Sequence, residues 1–195
     1  MNHKGASGES LNSFAQTDVS VASRVALGEE AMLAGIYDVK CYGADGKLKW
    51  EDTIHNMVVT AGKNYLLDNG MAGSGYTAAF YMMLLSSVSY TAIAAADTMA
   101  SHAGWTEAGG ANAPTYSQAT RPAAAWSAAS AGVKSLSAPL TFSITSAGTI
   151  KGAGLTTVAT KDGTTGTLFS MGLFTGGDKT VANTDTVTVS YSLSV

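Results

Sequence analysis

The side chains that could ligate a metal or move a proton are few: three histidines, one cysteine, and fourteen Asp and Glu residues. His3, His55 and His102 stand far apart and share no ligand-type spacing, so the chain lacks the constellation a zinc site needs. Asp97, Ser101 and His102 are the residue types of a base-activated nucleophile, yet Ser and Asp are common in loops and chance grouping is the ordinary reading. Glu51, Asp52 or Glu107 could supply the two carboxylates of glycoside hydrolysis, with Trp50 and Trp105 nearby as sugar platforms. Tryptophans beside turns more often cap a β core. Gly152-Ala153-Gly154 has neither the third glycine nor the following Lys-Ser/Thr of a phosphate loop. Asp162-Gly163 and Asp178 offer oxygens to calcium without EF-hand spacing. The expectation is a non-enzymatic chain with no catalytic residue, no metal and no cofactor.

One grouping resists the bland reading. Trp105-Thr106-Glu107 and Tyr116 to Pro122 (YSQATRP) belong to a single long excursion, Thr91 to Thr120, which contains Gly109-Gly110 and Pro114. Loops of that length tend to be functional or interfacial. A Glu107–Arg121 pair across it would pin the loop by under about 1 kcal/mol if exposed. Aromatic residues and Arg also anchor protein interfaces. Trp105, Glu107, Tyr116 and Arg121 are therefore the expected interface residues, and Trp105→Ala is expected to weaken assembly more than folding.

The elements that must position them read as strands. Tyr37, Val39 and Cys41 alternate, Gly43-Ala44-Asp45-Gly46 turns the chain, and Leu48, Trp50 and Ile54 continue beyond it: a hairpin signal. Thr60 is a plausible N-cap for a short helical turn closed by Leu66 and Leu67 and stopped at Asn69-Gly70. Tyr76 to Tyr90 is apolar at both parities, which fits a central strand or a buried helix, and the aromatics and flanking glycines favour the strand. After Arg121, strands are predicted at 123–126, 140–144, 148–158, 167–173 and 186–195, separated by turn residues. The last has Val187, Val189, Tyr191, Leu193 and Val195 on one face and hydroxyls on the other. The predicted fold is all-β, an antiparallel β-sandwich or jelly roll. Residues 1–35 read as an N-terminal arm, polar at first, with a possible short helix over Asp18 to Met32. The sandwich occupies residues 36–195.

Charged residues make up 13% of the 195, about half the usual share. Small residues and hydroxyls replace them, as in proteins that bury much of their outside against partners and equally in neutral β-sandwiches. Net charge is −3 and no basic residue lies between Lys63 and Arg121, which argues against nucleic acid. Cys41 is alone, so no intramolecular disulfide forms, and its place in an alternating strand predicts a buried thiol. The first residues lack an apolar signal core, and no apolar run approaches the roughly 18 residues of a membrane helix. No membrane association and no standard export signal are expected.

Several stretches carry a resemblance. GADGKLKWEDTIHNMVVTAGKNYLLD (43–68), AADTMASHAGWTE (95–107), YSQATRP (116–122), TLFSMGLF (167–174) and TVANTDTVTVSYSLSV (180–195), in that order, resemble small virion structural proteins of tailed bacteriophages. The resemblance covers roughly residues 36–195. It implies a non-enzymatic role, of the head decoration (cement) type, in which a β-sandwich clamps neighbouring subunits of the major capsid protein. It also implies a homo-oligomer on the capsid surface, an arm that reaches an adjacent subunit, and a virion location after synthesis in the host cytoplasm. No site residue transfers with it. A tail, collar or fibre-attachment component is the alternative within the same class. A carbohydrate-binding module using Trp50, Trp105 and Trp126 is the alternative outside it, and a polysaccharide hydrolase is the weakest.

Overall fold

The computed structural model describes residues 33–71, 79–90, 92–101 and 104–195. The hairpin is present: β1 (Ala34–Tyr42) and β2 (Leu48–His55) pair antiparallel, with a bulge at Cys41/Tyr42. The predicted domain start lies inside β1, which begins at Ala34; the rest of the arm and its helix, residues 1–32, lie outside the described residues.

Two antiparallel sheets form. In the first, the order is β2-β1-β11-β6, with β11 (Thr186–Ser194) at its centre and both β6 (Val133–Ser135) and β7 (Leu140–Ser143) paired along β11. The second runs β3-β9-β8-β4-β5: β3 (Met57–Val58), β9 (Leu168–Leu173), β8 (Gly148–Thr156), β4 (Tyr81–Ser86) and β5 (Thr106–Ala108). β10 (Lys179–Val181) also pairs with β8. The chain switches sheets at Asn56, whose N–H donates to the Gly35 carbonyl at 3.0 Å.

Between the sheets lies the main core. Tyr37, Val39 and Cys41 of β1 and Val187, Val189 and Tyr191 of β11 meet Met82, Leu84, Ile150, Leu155 and Phe169 of the second sheet. The predicted period-two face of β11 is present from Val187 to Leu193, whereas Val195 lies beyond the strand and is 75% exposed; the other face keeps Thr186, Thr188, Ser190, Ser192 and Ser194 half-exposed.

A second core explains why β4 is apolar at both parities. On the far face of the second sheet Met83, Leu85, Leu168 and Met171 pack with Val59 and with Met99 and Trp105 of the long excursion. The excursion is therefore a cover over that sheet, which gives its apolar residues somewhere to be buried. Gly152, on β8, belongs to this packing: a Cβ there would sit 1.9 Å from the Gly172 carbonyl oxygen of β9. The Gly152-Ala153-Gly154 run is thus a close-approach strand.

Several local expectations need correcting. The helix, α1 (Thr60–Met71), spans twelve residues and runs through Asn69-Gly70, which do not stop it. Lys63 N–H donates to the Val59 carbonyl, so Val59 holds the cap position and Thr60 is the first helical residue. Residues 123–126 make only isolated bridges, Tyr81↔Ala123 and Trp126↔Leu136, in place of a strand. The three-residue strands β5, β6 and β10 were too short to carry a visible period.

Candidate functional site

Glu107 sits on β5 opposite Leu85 of β4, and so faces the second core, away from the main one. Arg121 is anchored nearby by its backbone N–H, which donates to the Ala159 carbonyl at 2.8 Å. The two side chains pair: Arg121 Nε donates to Oε1 at 2.8 Å and Nη2 to Oε2 at 2.6 Å. The remaining guanidinium donors reach the carbonyls of Val158 (2.7 Å) and Gly163 (3.2 Å), while Glu107 Oε2 also accepts the Asp162 N–H at 2.8 Å. The pair considered from the sequence exists, and it is buried. Side-chain exposure is 0% for Arg121 and 4% for Glu107. In place of a surface pair worth under about 1 kcal/mol stands a buried one in which four of the five guanidinium N–H groups are bonded, and loss of either partner strands a charge.

The other two expected interface residues are buried as well. Trp105 is 2% exposed and lies in the second core; Tyr116 is 3% exposed and lies in the main one, edge-on to Phe142 at 5.0 Å. Lys161 Nζ lies 4.1 Å over the Tyr116 ring and donates to the Tyr116 carbonyl at 3.2 Å. Burial, then the Glu107 charge, push the Tyr116 phenol well above its ordinary value. The four residues hold the excursion against the sandwich from inside. Trp105→Ala, at a side chain this buried, is expected to weaken folding itself by about 3–5 kcal/mol.

The remaining chemical candidates are dispersed among structural bonds. His55 is exposed on β2, while His3 and His102 lie outside the described residues. Among the described residues no group of three His, Cys, Asp or Glu is placed to hold a metal. Asp97 accepts the Ala94 N–H at 2.9 Å, closing a turn. Neighbours on a strand, Glu51 and Asp52 point to opposite faces: Glu51 pairs with Lys40 at 2.9 Å, Asp52 with Lys179 at 2.8 Å. Trp50 is half-buried, edge-on to Phe174, with its Nε1–H donated to the Thr180 carbonyl at 2.9 Å. Trp126 packs edge-on against Phe80 and Tyr191.

Sequence reasoning missed two clamps and a network. Asp52 accepts Thr175 Oγ1 (2.8 Å), the Gly176 N–H (3.1 Å) and Lys179; Asp185 accepts Lys49 Nζ and the Ala182 N–H (2.8 Å). Burial alone would raise both carboxyls, but these donors outweigh it and hold both below the usual value. Inside the main core, the hydroxyls of Tyr37 and Ser170 lie 2.6 Å apart and Asn56 Nδ2 donates to the Tyr191 hydroxyl at 3.0 Å. Partners 133 and 135 positions apart leave no local signature.

Below the excursion's tip is a cleft of about 180 Å³. Met99, Trp105, Glu107, Asn112, Asp162 and Thr164 are among the residues that line it.

No family model, curated protein or solved structure matches the chain.

Proposed function

We propose that this protein is a non-enzymatic structural subunit of a bacteriophage virion, of the head decoration type, which binds the major capsid protein and stabilises the shell. Besides the sequence resemblance, one observation supports this reading: on the solvent face of the first sheet β11, with β6 and β7 beside it, presents a row of hydroxyls, while β1 on its other side presents Asp38 and Lys40. Along β11, Thr186 is matched in register by Ser143, Thr188 by Thr141 and Ser192 by Ser135. Short side chains lose little rotamer entropy when covered. Many weak polar contacts of this kind, repeated over a lattice, give avidity without a strong single site.

Labelling the protein on purified particles and imaging them at low resolution tests the proposal. Label spread regularly over the head supports it. Label at the tail, collar or fibre base would replace it with the alternative virion role, and unlabelled particles would end both. The sugar-binding reading has less to stand on, because Trp105 is buried and Trp50 and Trp126 pack edge-on against other rings.

A further inference from the structure

We propose that the cleft between Trp105 and Asp162 is a binding site for an alkylammonium group, such as a lysine side chain or a free primary amine. The inference stands apart from the virion reading.

Charge comes first. Glu107, in the lining, is neutralised by Arg121 in two hydrogen bonds. Asp162 has no such partner among the described residues. Its Oδ2 accepts only the Ala111 N–H at 2.7 Å, and Lys161 beside it is turned onto Tyr116. Among the described residues, the polar part of the lining therefore carries one unmatched negative charge.

Donor and acceptor chemistry agrees. Asn112 Nδ2 is committed to the Glu107 carbonyl at 3.1 Å, which leaves its Oδ1 as the uncommitted end of that amide. Asp162 and Thr164 also line the cleft. A ligand that brings donors and positive charge meets this set, whereas a phosphate or carboxylate is repelled. Met99 and Trp105, 1% and 2% exposed, add an apolar edge to the lining, and about 180 Å³ suits a chain of four carbons with its ammonium.

The carboxylate is also held in place. Asp162 has φ 55, a left-handed conformation that Asp tolerates, and its N–H is fixed on Glu107 Oε2. Gly110 makes room for it, since a Cβ there would lie 1.7 Å from Asp162 Oδ2.

The test is an NMR titration of the ¹⁵N-labelled full chain with n-butylammonium chloride. Neutral n-butanol and Nα-acetyl-lysine N-methylamide are the comparison ligands. The expected result is a saturable shift of the Trp105 indole and the Ala111 and Gly163 amides, with butylammonium binding about two- to fivefold more tightly than butanol. Asp162→Asn retains the backbone preference and the acceptor for Ala111, and is expected to reduce butylammonium to the level of butanol. Gly110→Ala, which displaces the carboxylate, is expected to act in the same direction. Tighter binding of the lysine amide than of butylammonium assigns the cleft to a protein-borne lysine; equal or weaker binding assigns it to a free amine. The absence of any saturable shift up to about 100 mM, or unchanged binding in a folded Asp162→Asn protein, would overturn the proposal.

Discussion

Arg121 and Glu107 meet along two parallel bonds of 2.8 and 2.6 Å, sealed from solvent, and among the described residues the two side chains also bond to backbone from 158 to 163. The excursion and the β8–β9 connection are thereby fastened to one point. Arg121→Ala, which leaves the Glu107 charge buried without a partner, should cost about 3–5 kcal/mol in denaturant unfolding. A double change, Glu107→Leu with Arg121→Met, should recover much of that loss, because two apolar groups strand no charge. A single-mutant cost below about 1 kcal/mol would return the pair to surface strength.

The two sheets are also joined by polar atoms inside the core, where the Tyr37 hydroxyl lies 2.6 Å from Ser170 Oγ. Tyr37→Phe removes that hydroxyl and leaves Ser170 with less than it had. The expected loss is about 1–3 kcal/mol in urea unfolding. An unchanged midpoint would mean that the network contributes nothing net.

Asp52 and Asp185 make stability depend on pH. Both carboxyls are held low in the folded chain despite burial, by Lys179 and Thr175 for Asp52 and by Lys49 and Ala182 for Asp185. A depressed folded value means the unfolded chain binds protons first as pH falls, so the stability is complete above the ordinary carboxyl range near about 4 and drains away below it. Asp185→Asn should flatten the acid limb of the stability curve measured by thermal melting from neutral pH downward. An acid limb of unchanged steepness in that variant would contradict the assignment.

Cys41 should be inert. Burial, then the nearby Asp185 charge, push its thiol up to about 12 against a smaller opposing pull from Lys49. Native protein should resist iodoacetamide at pH 8, and the same thiol should label once unfolded. Rapid native labelling would mean that the β1–β11 region opens far more easily than its packing implies.

What could be read in advance follows from period and length. β1, β2 and β11 each run eight or nine residues, and the clearest alternation, in β1 and β11, comes from one face in the core and one toward water. β5, β6 and β10 run three residues each, below the length at which a period exists. The pairing of Glu107 with Arg121 was legible because opposite charges in one excursion are conspicuous in a chain with 13% charged residues. Its burial was not, because the surrounding Ala, Gly, Ser and Thr give no contrast between a loop that lies on water and one that lies on a second core. Asp162, 55 positions from Glu107, reaches the cleft only through the fold.

The central claim is that this sandwich is a repeated piece of a larger shell. Quantitative mass spectrometry of particles purified from the source that encodes the chain measures it directly, as a ratio to the major capsid protein. The account predicts on the order of hundreds of copies per particle. A few copies per particle, or none, would contradict it.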